Sequence, residues 1–325
     1  MSKALSIGKL RGLQQCSTKS GKLAILAVDH RNNLRNALNP GSPDQVTDDD
    51  MIMFKKEVVS RVGSSATAVL LDPEVGAMQC IASGALPGTH GLVLAVEATG
   101  YTGDPTARQS RILEGWTIAK ARSIGASAVK LLVYYHPDSL SAPKIKDFVS
   151  NVAEECIRQD ILLFVEPLSY SLDPGKKKPS SKELRRIVIE TARTLTLPGV
   201  DALKVEFPLS IQEDPNENNW VNACEELSAA CPIPWILLSA AVDFEVFLRQ
   251  VVVACQSGAS GVAVGRAVWK EASQFTGHQR NDFLSSLASS RMTRTTALCE
   301  AMARPWTDFY QTPIPNGHYY QEYGN

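Results

Sequence analysis

The segment GVDALKVEFPLS (residues 199–210) places a lysine in the middle of an apolar run. If residues 201–208 form a β-strand, alternate side chains point to opposite faces. Lys204 and Glu206 then share one face, and the hydrophobic side chains share the other. An ammonium group on a half-buried strand is paired with a carboxylate, extends to solvent, or is placed there for its chemistry. The interpretation depends on the fold around this strand.

Seven other short apolar runs resemble this one, and longer amphipathic stretches separate them. The eight predicted strands span residues 23–30, 67–74, 91–98, 127–135, 160–167, 201–208, 235–242 and 261–268. Helical patterns cover residues 48–63, 78–84, 109–125, 142–159, 243–258 and 279–303. This alternation is typical of parallel β/α units.

Eight strand–helix units predict an α/β protein with a single-domain (β/α)₈ barrel, a fold of roughly 250 residues. We expect the barrel to span residues 22–304, after an N-terminal lead (1–21) and before a C-terminal tail (305–325). The tail is expected to be a surface or subunit-contact segment. A doubly wound open sheet is the alternative, but its G-x-G-x-x-G turn is missing after the first strand.

Composition excludes several classes of partner. The net charge of −1 gives no electrostatic reason to expect nucleic acid or an anionic membrane. No apolar run approaches the roughly 20 residues that cross a bilayer, and the N-terminus lacks a signal-peptide pattern. The seven cysteines are scattered without a C-x-x-C pair. We therefore expect a soluble, cytoplasmic protein, acting on a small molecule and forming a homo-oligomer.

Polar residues collect at the carboxyl ends of the predicted strands, where barrel enzymes place their active sites. The amino ends carry few. These strand-end residues are Asp29, His30, Arg31, Asp72, Glu74, Glu97, Lys130, Tyr134, Tyr135, Glu166, Lys204, Glu206, Ser239, Gly265 and Arg266. This asymmetry predicts a catalytic mouth.

Lys204 has two interpretations. It forms a structural salt bridge with Glu206 or Glu166, or it is a nucleophile that forms a Schiff base. An amine attacks a carbonyl only when neutral, and burial or a nearby cation lowers its pKa. Lys130 lies on the fourth predicted strand, whose interior side chains share layers with those of the sixth. Two lysines in one layer repel, so we expect at least one to have a lowered pKa.

The carboxylates near these lysines have two possible roles. Glu166 is either a buried counter-ion or the acid/base group that a Schiff-base mechanism needs for its proton transfers. Asp29 has the same two interpretations.

The segments after the seventh and eighth strands predict a phosphate site. The expected ligands are Ser239, the backbone amides of the Ala240–Ala241 turn, and Gly265–Arg266.

Only two of the five histidines, His30 and His136, follow strands, which is too few for a zinc site. We interpret His136 as solvent-facing and expect neither a metal nor another cofactor.

The strand motifs resemble those of the tagatose-1,6-bisphosphate aldolase family of class I aldolases, and of the related sulfofructose-phosphate aldolases. They occur in the family's order over about residues 22–270. The motifs are LAVDHR, LLDPE, AVKLLVYYHPD, FVEPLSY, DALKVEFP, PWILLSAAVD and GASGVAVGRAVW.

The resemblance implies a (β/α)₈ barrel that cleaves a ketose 1-phosphate derivative into dihydroxyacetone phosphate and a three-carbon aldehyde. It assigns the Schiff base to Lys204 and proton transfer to Glu166, with Lys130 and Asp29 lining the site. Ser239 and Arg266 would bind the 1-phosphate. We also expect His30, Arg31 and Tyr134 to contact the sugar.

Two departures bear on the substrate. The family's DQR is Asp29–His30–Arg31 here, and a family glycine is Ala241. Tyr134–Tyr135 favours tagatose 1,6-bisphosphate, which yields glyceraldehyde 3-phosphate. PWILLSAAVD is equally similar to aldolases of 6-deoxy-6-sulfofructose 1-phosphate, which yield sulfolactaldehyde. A phosphate-binding isomerase or epimerase, and a non-catalytic metabolite sensor, are the more distant alternatives.

Overall fold

Eight parallel strands form a closed barrel in chain order, as the sequence predicts. The computed structural model describes residues 3–176 and 178–323. The strands are β1 Leu23–Ala27, β2 Ala68–Leu71, β3 Gly91–Ala95, β4 Ala128–Tyr134, β5 Leu162–Leu168, β6 Ala202–Val205, β7 Trp235–Leu238 and β8 Gly261–Val264. Most of them end earlier than expected, because the polar residues that follow leave the strand ladder at the barrel mouth.

Helices follow the strands on the outside of the barrel, and one helix precedes the first strand. They span Ile7–Cys16, Asn32–Leu38, Asp48–Val62, Ala77–Ala82, Ile118–Ser123, Ala142–Arg158, Ser181–Leu195, Glu217–Ala230, Phe244–Gln256, Arg266–Trp269, Gly277–Phe283, Ser289–Met302 and Tyr319–Glu322. A π-helical turn at Leu284–Ala288 joins two of them. Among the helices of the described chain, none combines the length and the apolar character that a bilayer-crossing segment requires.

Local sequence sets the bounds of the helices. Thr47 begins one of them with a capping box, in which its side chain accepts from the Asp50 amide and the Asp50 side chain accepts from the Thr47 amide. The prediction of a helix over 109–125 is wrong for its first half. Gly115 has a φ of 71°, which interrupts a helix, and Thr117 then caps a short helix over Ile118–Ser123.

The amino-terminal end of the barrel is closed by the chain's own ends. Leu10, Leu13 and Cys16 of the first helix pack into the same buried cluster as the strand starts. Lys9 of this helix pairs with Asp201 at 2.7 Å. A parallel pair of two-residue strands, Lys3–Ala4 and Tyr310–Gln311, joins the two ends. The carboxyl ends of the strands are therefore left as the accessible face.

Barrel closure depends on a glycine where β8 meets β1. Gly261 pairs with Leu23 and has a φ of 139°, in the region that favours glycine. A Cβ at this position would lie 1.7 Å from the Leu23 carbonyl oxygen. The two backbones can be this close only because position 261 has no side chain.

We expect Gly261→Ala to destabilise the protein by about 3 kcal/mol or more, because the new methyl group collides with backbone rather than with a flexible side chain. Urea unfolding measures the loss. Gly88→Ala is the matched control, since no atom lies within 4 Å of its added Cβ. Equal stability of the two variants would contradict this account of closure.

Candidate active site

One cavity at the barrel mouth contains most of the site residues expected from the sequence. Its lining leaves out Asp72, Glu74 and Tyr135 of the strand ends and Ala241 of the expected phosphate turn. Its lining includes Asp29, His30, Arg31, Lys130, Tyr134, Glu166, Lys204, Ser239, Ala240, Gly265 and Arg266. The strands position them because an interior residue at the carboxyl end of each strand points toward the barrel axis. Glu97 and Glu206 line the same cavity.

The ammonium group of Lys130 lies at the centre of the charged cluster and is 1% exposed. Its Nζ is 2.7 Å from Asp29 Oδ2, 2.7 Å from Glu97 Oε1 and 3.1 Å from Glu166 Oε2. The second oxygen of Glu97 accepts from the backbone amide of Leu132 at 3.1 Å. Lys130 thus joins the carboxyl ends of β1, β3 and β5 from its own position on β4.

Lys204 shares one oxygen atom with Lys130. Its Nζ lies 2.8 Å from Glu166 Oε2, the same atom that Lys130 contacts. The side chain points into the barrel, whereas Leu203 and Val205 pack in the outer core. Of the two partners expected from the sequence, the structure selects Glu166. Glu206 instead accepts from the amide of Ser169 at 2.7 Å and from its hydroxyl at 2.6 Å.

Burial and charge act in opposite directions on this cluster. Burial by itself raises the pKa of Asp29 and Glu166, but the charges of Lys130 and Lys204 outweigh it and hold the pKa of both carboxyls below the usual range. Burial lowers the pKa of Lys130, yet Asp29, Glu166 and Glu97 raise it well above its ordinary value. Lys130 is therefore not a lysine with a lowered pKa, because carboxylates surround it.

His30 is a neutral imidazole at the edge of the cavity. Burial, opposed by Asp29 and supported by Arg266, lowers its pKa to about 3. The ring packs edge-on against Trp269 at 5.2 Å between centroids. Its Cε1 lies 2.9 Å from where a Cβ on Gly265 would be. A glycine at 265 therefore leaves room for the imidazole beside the expected phosphate site.

The expected phosphate site is a turn at the ends of β7 and β8. The Gly265 amide donates to Ser239 Oγ at 3.4 Å. Ala240 and Ala241 have φ values of 44° and 62°, so both adopt the left-handed conformation that glycine favours. The Ala241 methyl group is thus accommodated with the backbone in that conformation. The half-buried Arg266 begins the next short helix.

Known proteins share this sequence pattern and fold. The family model described as DeoC/LacD family aldolase matches residues 23–271. A tagatose 1,6-diphosphate aldolase of Listeria monocytogenes is 30% identical over 331 residues, covering 93% of this chain and 95% of the relative. The Staphylococcus aureus enzyme of the same name is 32% identical over 297 residues, covering 84% and 88%.

The chain belongs to the DeoC/LacD family of aldolases. The family expected from the strand motifs is thereby confirmed. A solved structure of a Schiff base-forming fructose-1,6-bisphosphate aldolase shares the barrel fold, with a TM-score of 0.56 and 22% identity. That likeness covers 87% of this chain and 99% of the other.

In this aldolase Arg31 is bound within the cluster by two carboxylates. Its Nη1 donates to Glu74 Oε2 at 2.7 Å and to the Glu97 carbonyl at 2.9 Å, and Nη2 lies 3.4 Å from Glu97 Oε1. Burial lowers the pKa of Arg31, but Glu97 and Glu74 more than compensate and raise it. Arg31 orients Glu97, which in turn contacts Lys130.

Sequence reasoning did not assign a role to Glu97. The available signal was its position at the end of the third strand, next to the strand that carries Lys130.

The interpretation of His136 as solvent-facing is wrong, since it is 1% exposed. Its Nδ1 accepts from the Asp138 amide at 3.1 Å, and its Nε2 lies 3.7 Å from Glu183. Over residues 3–176 and 178–323, no three His, Cys, Asp or Glu side chains are grouped to hold a metal.

Lys130→Met removes one of the two cations that keep Asp29 and Glu166 ionised. A carboxylate must be ionised to accept a proton, so activity falls as the pH drops through its pKa. We expect the acid limb of kcat/KM to move to higher pH by about 1–3 units, because an opposite charge at this distance lowers a carboxyl pKa by that amount. The pH dependence of kcat/KM measures the shift.

Lys9→Met is the matched control for this prediction. It breaks another buried lysine–aspartate pair, at the amino-terminal end of the barrel. Both variants should lose stability, but only Lys130→Met should move the acid limb. An unchanged profile in Lys130→Met would show that this cation does not set the charge of the site.

Proposed function

We propose that this protein is a class I aldolase that reversibly cleaves a ketose 1,6-bisphosphate such as tagatose 1,6-bisphosphate. The products are dihydroxyacetone phosphate and glyceraldehyde 3-phosphate. The observation that carries the proposal is a buried lysine, Lys204, within 2.8 Å of an ionised carboxylate at the mouth of the barrel. The names of the relatives in Listeria and Staphylococcus support the choice of sugar.

The first chemical step is attack of Lys204 Nζ on the C2 carbonyl of the sugar. The amine must first lose a proton, and Glu166 Oε2 lies at the right distance to receive it. Since Glu166 starts ionised, it acts first as a base and then, once protonated, as an acid. It returns the proton to the carbinolamine hydroxyl, water leaves, and an iminium forms between C2 and Lys204.

The second step breaks the bond between C3 and C4. Glu166, ionised again, takes the proton of the C4 hydroxyl, and the C3–C4 electron pair moves into the iminium to give an enamine. The aldehyde leaves with C4 as its carbonyl carbon. Glu166 then protonates C3, and water hydrolyses the iminium to release dihydroxyacetone phosphate and free Lys204. Lys130 keeps the Glu166 oxygen aimed at Lys204 throughout.

The 1-phosphate is held beside the nucleophile. Arg266 donates to it from the side of β8, and Ser239 and the Ala240 amide do so from the side of β7. None of the described carboxylates forms an ion pair with the Arg266 guanidinium, so its charge is available to a phosphate. His30 and Tyr134 lie around the remaining sugar.

The cellular setting is part of the same proposal. The seven cysteines are free and buried thiols, which suits a reducing cytoplasm. We propose the barrel over 22–304 as the catalytic unit of a homo-oligomer. Ile314 and Tyr320 of the C-terminal tail are 95% and 73% exposed, as suits a subunit contact.

Borohydride reduction in the presence of dihydroxyacetone phosphate should attach that molecule to a peptide containing Lys204. Lys204→Met keeps the volume of the side chain but removes the amine, so trapping and cleavage should vanish while the fold survives. Peptide mass spectrometry and thermal unfolding measure the two effects. Cleavage retained in Lys204→Met would leave the lysine a structural role only, and turnover without trapping would favour an isomerase.

Arg266→Ala should raise KM for the bisphosphate about 10- to 100-fold, because a hydrogen bond to a charged group is worth roughly 1.5–3 kcal/mol. Steady-state kinetics measure the change, and borohydride trapping of Lys204 at saturating substrate should persist. An unaltered KM would remove Arg266 from the phosphate site.

A further inference from the structure

The segment after β3 is an ordered hairpin that stands at the barrel mouth. Residues 97–112 fold back on themselves through antiparallel bridges at Glu97–Ile112 and Thr102–Gln109. Near its tip, the Thr106 carbonyl accepts from the Ser139 hydroxyl at 2.8 Å. The hairpin therefore rests on the segment after β4, and its Thr99 and Gly100 form part of the cavity wall.

Arg108 of this hairpin is stacked among three tyrosines. Its guanidinium carbon lies 4.4 Å from the ring centre of Tyr101, 4.5 Å from that of Tyr170 and 5.5 Å from that of Tyr134. The Nε donates to the Pro105 carbonyl at 3.0 Å. Aromatic rings cover the faces of a guanidinium and leave its N–H edge available to an oxyanion.

The charge of Arg108 is not compensated by a carboxylate of the described residues. Arg31 differs, because Glu74 and Glu97 both pair with it. Arg266 resembles Arg108 in having no carboxylate partner there, and it is already assigned to the 1-phosphate. Arg266 thus lines the cavity, and Arg108 stands beside it on the hairpin, against the lining residue Tyr134. Neither is paired with a carboxylate of the described residues.

These two arginines lie on opposite sides of the mouth. Arg266 follows β8, whereas Arg108 leans on Tyr134 at the end of β4 and on Tyr170 after β5. In a closed ring of eight strands in chain order, β4 is opposite β8. Lys204 on β6 and Glu166 on β5 lie between them. A sugar with its 1-phosphate at Arg266 and C2 at Lys204 extends its far end toward the hairpin.

We propose that Arg108 is a specificity-determining residue that binds a terminal oxyanion, a phosphate or a sulfonate, on C6 of the sugar. The tyrosines fix the plane of the guanidinium before substrate arrives, so little side-chain entropy is lost on binding. The aldolase thereby selects sugars that are charged at both ends. This inference rests on the proposed function, since it takes the position of the sugar from Lys204 and Arg266.

The test compares Arg108→Gln with Arg111→Gln on three substrates. These are a ketohexose 1,6-bisphosphate, a 6-sulfonate 1-phosphate, and a 1-phosphate with a neutral C6 hydroxyl. Arg111 lies on the same hairpin but is exposed and serves as the matched control. For Arg108→Gln, KM should rise about 10- to 100-fold on a substrate with a C6 anion, with kcat nearly constant. KM for the neutral substrate should not change.

The outcomes distinguish phosphate from sulfonate as the anion at C6, and they distinguish failure of the Arg108 inference from failure of the proposed aldolase function. A KM increase confined to the phosphate or to the sulfonate identifies which oxyanion Arg108 binds. Equal losses on all three substrates, or no loss on any, overturn the inference while cleavage by the wild type keeps the aldolase proposal intact. Absence of cleavage and of Lys204 trapping in the wild type, on all three substrates, would overturn the proposed function itself.

A measurement on the wild type covers the case in which Arg108→Gln fails to fold. The wild type should bind the C6-charged substrates more tightly than the neutral one, and added salt should reduce this difference because Arg108 is partly exposed and salt screens its ion pair with the substrate. Equal KM values for charged and neutral substrates at low salt would overturn the inference without any variant.

Discussion

The site depends on one oxygen atom that serves two lysines. Glu166 Oε2 contacts both Lys130 and Lys204, so neither ammonium group is left unpaired inside the barrel. A buried ion costs several kcal/mol to desolvate unless a partner of opposite charge is well placed. The barrel supplies that placement, because β4, β5 and β6 are neighbours and each carries one of the three side chains.

Cations and carboxylates alternate in the network around this oxygen. Asp29 and Glu97 complete the surroundings of Lys130, and Arg31 holds Glu97 from the other side. Each carboxylate is thereby fixed in orientation as well as in charge. A proton carrier must be aimed at its partner before substrate arrives. The same network that keeps buried charges tolerable therefore also positions Glu166 for proton transfer.

Much of this arrangement could be predicted from the sequence, because two simple rules apply to parallel barrels. Strands buried on both faces appear as short apolar runs, and functional side chains gather where those runs end.

The ion pairs among the functional side chains could not be predicted. Lys204 is compatible with Glu166 or Glu206 by spacing alone, and the choice depends on how far β5 and β6 are staggered. Likewise, the sequence predicts that Arg31 contacts the sugar but does not predict its ion pairs with Glu74 and Glu97. The prediction of a helix over 109–125 was wrong in its first half for a local reason. Gly115 and the hairpin before it outweighed the helical spacing of the apolar residues.

The closure of β8 onto β1 also has a consequence for synthesis of the chain. Leu23 finds its partner Gly261 only after ~240 further residues have been made, which takes on the order of 10–50 s at typical translation rates. During that time β1 has an unpaired edge, and an apolar strand edge readily joins another chain. The nascent chain therefore exposes this edge of β1 until the last strand of the barrel, β8, emerges.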